Sequence, residues 1–204
     1  CSQYLTEDFN LPITPIYNNS VRQIIRTSIG ASEDDKIRIK FSNKCNDVPL
    51  VINGVTIAIS HSQGSGKINE NSLKEITFNN KKSVIIPEGN EIYSDFLDFK
   101  FEPLSELSIT IYYGERCYRP DTDRNEHKIL ITGHPGSRTH SFFEKGDALH
   151  KVEFSHENKI AHWYTIAAIE IMTKKNKNVV VCFGDSITDG RGSTDDKQNR
   201  WTDH

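Results

Sequence analysis

The chain has 204 residues, with 25 Lys and Arg against 28 Asp and Glu, a formal net charge of -3 and 35% hydrophobic residues. With a mean hydropathy of -0.57, no stretch is apolar enough to span a bilayer. The charges are mixed and form no basic stripe, which argues against nucleic acid as a partner. Four cysteines are too few and too scattered for a disulfide scaffold or a zinc cluster. Cys45 and Cys117 could pair if the fold brings them together, and Cys182, inside an apolar run, reads as a small buried hydrophobe. No initiator Met or signal segment precedes Cys1, so it reads as the start of a fragment rather than as an acylated lipoprotein terminus. The length suits one large domain, or one domain and part of another.

From residue 21 onward the pattern is that of β structure. Strands are predicted at Val21–Ile29, Ile37–Ser42, Val51–Ser60, Glu75–Phe78, Ser83–Ile86 and Asp95–Phe101. Others are predicted at Leu107–Tyr113, Ile129–Thr132, Leu149–Phe154 and Trp163–Met172. Ile37, Ile39 and Phe41 alternate with Arg38 and Lys40. Val55, Ile57 and Ile59 alternate with Thr56, Ala58 and Ser60, and Leu107, Ile109 and Ile111 with Ser108 and Thr110. A period of two is the mark of half-buried antiparallel strands. Asn53-Gly54, Gly64-Ser65-Gly66, Asn79-Asn80 and Pro87-Glu88-Gly89-Asn90 supply the turns between them. Many short strands, with no helical period before residue 180, predict a mainly β sandwich of jelly-roll type over residues 1–173. The polar run Thr173–Asn178 marks the boundary, and its three lysines read as a solvated connection. Residues 178–204 then begin a second domain.

There the pattern changes. Val179-Val180-Val181-Cys182-Phe183 is an unbroken apolar run, as in parallel strands covered on both faces. It stops at Gly184, and Asp185-Ser186-Ile187-Thr188-Asp189-Gly190 follows. Ligands of α/β sheets bind where such strands end and the chain turns into the next helix. A serine at that point is placed to attack a carbonyl, its own N–H facing the oxygen on which charge develops. Gly184 gives the backbone room to turn, and Asp185 is expected to hydrogen-bond backbone beside the nucleophile. The hydroxyl needs a histidine to take its proton. Gly-Asp-Ser alone is also a common turn tripeptide.

The longer block Phe183–Gly190, followed by Gly192-Ser193-Thr194 and Arg200-Trp201, resembles the first sequence block of the GDSL, or SGNH, serine hydrolases. Val21–Arg26, Ile37–Asn43 with Pro49-Leu50, and His162-Trp163-Tyr164 are similar to landmarks of the branch in which a β-rich region precedes the hydrolase domain. The resemblance implies a β-sandwich followed by the start of an α/β SGNH hydrolase domain. It implies a serine esterase or acylhydrolase acting through an acyl-enzyme on Ser186, with the Ser186 N–H as one oxyanion donor and no cofactor or metal. The implied substrate is a carboxylic ester, either an O-acyl group on carbohydrate, including polysaccharide, or a small ester. A secreted or cell-surface location is expected. In that family the other oxyanion donors and the catalytic Asp and His lie in blocks tens of residues after the first. The 204 residues therefore look like the front portion of a longer enzyme, expected to be inactive without the remainder of the hydrolase domain.

Other constellations compete for attention. Asp147-Ala148-Leu149-His150 has the Asp-x-x-His spacing but precedes the serine, and reads as a turn Asp before a strand His. His134, His140, His150, His156 and His162 match no metal-ligand spacing. Asp185, Asp189, Asp195 and Asp196 lack the order of a calcium loop, and Gly190–Thr194 lacks the Gly-Lys-Ser/Thr of a phosphate loop. Arg200 and Trp201 are expected to pack a first hydrolase helix. Tyr112, Tyr113, Tyr118, Phe142, Phe143, Trp163 and Tyr164 support an alternative, a non-catalytic carbohydrate-binding sandwich with an incomplete hydrolase segment. Core packing is the competing account of the same aromatics. Asn18-Asn19-Ser20 fits a glycosylation acceptor.

Overall fold

The computed structural model describes residues 18–44, 49–114 and 138–204. Its strands are β1 (Asn19–Arg26), β2 (Lys36–Ser42), β3 (Leu50–Ile52), β4 (Gly54–Ile59), β5 (Lys74–Ile76) and β6 (Val84–Ile86). They continue with β7 (Glu91–Tyr93), β8 (Glu106–Tyr113), β9 (Ser141–Lys145), β10 (Lys159–Ile160) and β11 (Ile166–Met172). All the ladders are antiparallel. They build a six-stranded sheet in the order β10-β9-β1-β8-β4-β5, a three-stranded sheet β11-β2-β7 and a two-stranded ribbon β3-β6.

Alternation fills one core between these sheets. Ile37, Ile39 and Phe41 of β2 and Ile166 of β11 share it with Val21 of β1, Val55 and Ile57 of β4, and Leu107, Ile109 and Ile111 of β8. The ribbon adds Leu50, Ile52 and Ile86. Each such side chain contributes about 1.5–3 kcal/mol when fully buried. The result is a sandwich-like β fold.

The outer face of the six-stranded sheet is buried as well, which the half-buried expectation missed. Thr56, Ser108 and Thr110 are each 1% exposed. Ile24, Phe142, Ala148 and Phe154 form a second apolar cluster, and the Thr56 hydroxyl donates to the Leu149 carbonyl at 2.9 Å. Arg22 is fully buried with them. Its Nε donates to Thr110 Oγ1 at 2.9 Å, and Nη1 and Nη2 donate to the Gly66 and Lys151 carbonyls at 2.6 Å each. The guanidinium lies 4.0 Å above the Phe154 ring. Burial lowers its pKa to about 10, partly opposed by the field of Glu144, so it is still a cation at neutral pH. The polar alternates are buried because they have partners.

Several predicted elements differ. Val51–Ser60 splits at Asn53, whose N–H donates to the Tyr112 carbonyl, so that β3 and β4 enter different sheets. Asp95–Phe101 makes only isolated bridges, at Leu97 and Phe101. Its Asp95 carboxylate instead accepts from the N–H groups of Asn79 and Asn80 and from the Thr77 hydroxyl. Leu149–Phe154 is not a strand, because the Leu149 N–H turns back to Asp147 Oδ1 at 3.1 Å and only Glu153 makes a bridge. Strand β9 was not predicted: Phe142 packs in the second cluster and Phe143 against the main core, so both faces are apolar and alternation is lost. Ile129–Thr132, Cys1, Cys45, Cys117, Tyr118 and His134 lie outside the described residues.

The largest correction concerns the apolar run. Val179, Val180, Val181 and Phe183 are 83–97% exposed, Cys182 is exposed rather than buried, and residues 173–185 contain no strand. A strand of a parallel sheet is stabilised by neighbours on its edges and layers on its faces. Among the described residues nothing pairs with this run. The expected start of an α/β domain is therefore not formed, and the described fold is antiparallel β. No helix among the described residues is long and apolar enough to cross a membrane.

Candidate functional site

Ser186 opens a single helical turn that is capped at both ends. At its start, Asp185 Oδ1 accepts from the Ile187 N–H at 3.0 Å, the bond of an N-cap side chain. Within it, the Asp189 N–H donates to the Asp185 carbonyl at 3.1 Å. At its end, the Arg191 N–H reaches the Ser186 carbonyl at 2.8 Å and the Gly190 N–H reaches the Ile187 carbonyl at 3.1 Å. This pair of bonds is the Schellman closure, which needs a left-handed residue at its exit. Gly190, at φ 102°, supplies it at no steric cost. Gly184 is needed for a different reason: a Cβ there would overlap the Thr188 hydroxyl. Ser186 is half-buried. Among the described residues, no group hydrogen-bonds its hydroxyl or its N–H.

The residues after this turn dock onto one end of the sandwich through polar contacts. Arg200, whose stem lies against Gly190, donates from Nε and Nη2 to the Asp203 carboxylate at 2.8 and 3.0 Å. Its Nη2 also donates to Gln198 Oε1 at 2.6 Å. Gln198 is buried, and its Nε2 donates to Glu106 Oε1 at 3.1 Å. Its carbonyl accepts from Arg26 Nη1 at 3.3 Å. Asp196 is the hub. Its carboxylate accepts from the His140 N–H at 2.8 Å, from His140 Nδ1 at 2.9 Å and from Lys159 Nζ at 3.0 Å, and its own N–H donates to the Arg138 carbonyl at 2.8 Å. Arg138 pairs with Asp195 at 2.9 Å.

Electrostatics separate the two carboxylates of this junction. Burial alone would raise the Asp196 pKa, but hydrogen bonds from His140 and Lys159 hold it below the usual carboxylate range. Glu106 goes the other way: burial raises it, although the Gly64 N–H, Gln198 and Arg26 all favour the charged form. From sequence Asp196 stood out only as a carboxylate lacking the order of a calcium loop, and Glu106 was not singled out. Asp196 and His140 stand 56 residues apart, a separation that no spacing rule connects.

The remaining sequence candidates are dispersed. His150 is exposed and stands 3.5 Å from Glu75, away from the strand position expected of it, while Asp147 serves its own turn. His156 meets the Phe142 ring edge-on at 5.8 Å. His162 is buried, its Nδ1 unpartnered and its pKa lowered by burial. None of these histidines hydrogen-bonds Ser186. Among the described residues, no three His, Cys, Asp or Glu converge on a metal position. Arg200 and Trp201 do not start an α-helix: Trp201–Asp203 is one 3-10 turn capped by Arg200, with Trp201 exposed. Of the aromatics, Tyr113, Phe142 and Tyr164 are buried, and Tyr112, Phe143 and Trp163 are half-buried. The Tyr113 hydroxyl bonds Thr165 at 2.7 Å, and Trp163 Nε1 donates to the Ile166 carbonyl at 2.7 Å. Phe143 and Trp163 pack against the main core, and Phe142 lies in the second cluster. Neither a protein-family model nor a curated protein matches the chain.

Proposed function

We propose that Ser186 is the nucleophile of a serine ester hydrolase of the GDSL/SGNH type. Residues 1–173 serve as its jelly-roll-like sandwich domain, and residues 178–204 contribute the nucleophile turn to the hydrolase domain. The observation that carries this reading is the doubly capped turn, which leaves the Ser186 hydroxyl and N–H unbonded while Asp185 and Gly190 satisfy the groups around them. A second observation supports it. An apolar run as exposed as Val179–Phe183 calls for cover, and the sheet of a hydrolase domain would provide it.

In this reaction the Ser186 oxygen attacks the ester carbonyl as a histidine takes its proton. The Ser186 N–H stabilises the tetrahedral oxyanion, the alcohol departs with the proton, and water hydrolyses the acyl-enzyme. As in the family that the block resembles, the acid–base pair comes from hydrolase-domain residues other than those described. The substrate is an O-acylated carbohydrate or a small carboxylic ester, and the enzyme works outside the cell or at its surface. The test is release of acid from a short-chain aryl ester by the full-length enzyme. Ser186→Ala should lower kcat by at least about 1,000-fold. A folded variant with an unchanged rate would remove Ser186 from the chemistry.

A further inference from the structure

A cleft of about 320 Å³ opens at the end of the six-stranded sheet, where β1 finishes and β8 begins. Arg26 and Glu106 are directly opposite each other in the β1–β8 register. Ser60, Ser62 and Gln63 enter from the loop after β4, and Leu104 and Ser105 from the turn before β8. We propose that this cleft binds one sugar unit, a neutral polyhydroxylated ligand, independently of the chemistry at Ser186.

The volume is at the small end of ligand clefts, which run from about 300 to 1,000 Å³. Its chemistry is unfinished on the donor side. Arg26 Nε is buried without a partner, and its guanidinium has no ion pair among the described residues. Its one hydrogen bond among the described residues, to the Gln198 carbonyl, is long at 3.3 Å. The Ser62 and Ser105 hydroxyls bond no group among the described residues. On the acceptor side, Glu106 takes one N–H from Gly64 at 2.8 Å and one from Gln198 at 3.1 Å, leaving lone pairs free on a carboxylate that has about four.

The charges decide the ligand class. Arg26 disfavours a cation and Glu106 disfavours an anion, so a neutral occupant is favoured. It must both accept, from Arg26, and donate, to Glu106. Hydroxyl groups do both, and a pair on neighbouring carbons matches two facing side chains. Leu104 adds an apolar rim. It is 55% exposed and sits at φ 63°, a left-handed conformation that is uncommon for a branched side chain and concentrates at binding sites. With Ile59 it offers a surface for the C–H face of a sugar ring. Burial, which raises the Glu106 pKa, shows that this carboxyl is partly withdrawn from water.

The experiment is a proton–nitrogen NMR titration of the whole chain with methyl β-D-glucopyranoside and, separately, D-xylose. Saturable shifts at the Gln63, Gly64, Ser105 and Glu106 amides are expected, with a Kd on the order of 1–10 mM. Arg26→Met and Glu106→Gln should each weaken binding at least about 10-fold, and if the first fails to fold the second carries the test. Ser186→Ala should bind as the parent does, so loss of the esterase reading leaves this one standing. The proposal is overturned if neither sugar gives saturable shifts, if both variants bind like the parent, or if acetate or inorganic phosphate saturates the cleft and the sugars do not.

Discussion

Gln23 offers a sharp test of the packing physics. It lies in the middle of β1, opposite Ile109 of β8 and Ser141 of β9, and is fully buried with neither Nε2 nor Oε1 hydrogen-bonded. Strand alternation puts it on the side of Val21 and Ile25, which meet the main core. Two unmet polar atoms, at about 1–3 kcal/mol each, make a burden of about 2–6 kcal/mol. Gln23→Leu removes it at similar volume, while the branch at Cγ returns about 1–2 kcal/mol as strain. The net expectation is about 2 kcal/mol of added stability, or about 4–8 °C in Tm for a chain of this length. Urea unfolding followed by circular dichroism should show a higher midpoint with an unchanged slope. Gln23→Glu, which buries an unpaired charge, should lose several kcal/mol in the same assay. A lower midpoint for Gln23→Leu would refute the reasoning and show that the amide is satisfied in solution.

Arg22→Met should destabilise the chain by about 3 kcal/mol in the same urea series, because the Thr110 hydroxyl and the Gly66 and Lys151 carbonyls lose their donor; an unchanged midpoint would show that the buried cation is dispensable. Gly190→Ala forces a side chain into φ 102° against Arg200, and should loosen the turn locally by about 1–3 kcal/mol. Faster proteolytic cleavage between residues 186 and 191 would be the readout, and an unaltered rate would count against the capped turn. The Asp196 clasp should be acid-sensitive. Its folded pKa lies below its unfolded value, so its contribution is complete above about pH 4 and is lost as pH falls through the folded pKa. Glu106, raised by burial, titrates in the opposite sense, so the Asp196 part is the difference between the parent and Asp196→Asn. Amide shifts of His140 and residues 194–199 should report loosening in acid for the parent and already at neutral pH for the variant. Superimposable profiles would exclude the clasp.

The sandwich was legible in the sequence where one face of a strand is apolar and the other polar. Ile37, Ile39 and Phe41 of β2 announce their sheet because Arg38 and Lys40 between them remain outside. The signal failed where burial is two-sided. Phe142 and Phe143 are adjacent in β9 and serve two different clusters, so no period marks them. Thr56, Ser108 and Thr110 read as solvent-facing because their partners are distant in sequence: Arg22 lies 88 residues from Thr110, Leu149 lies 93 from Thr56 and Ser60 lies 48 from Ser108. At the site, the Asp185 bond to backbone could be read because capping is local, reaching only two residues along the chain, whereas the left-handed exit at Gly190 was not. The dock of residues 193–203 could not, since His140, Lys159 and Glu106 meet it only through tertiary packing. The valine run misled for a related reason: its composition specifies a covered strand, but cover comes from other elements and not from the run itself.

The central claim is that the Ser186 oxygen attacks an acyl carbonyl. Its most direct test is to treat the active full-length enzyme with a fluorophosphonate and map the modified peptide by mass spectrometry. The account predicts one phosphonyl group on Ser186, appearing in step with the loss of esterase activity. Full inactivation with the label on any other residue, or a labelled Ser186 with activity intact, would contradict it.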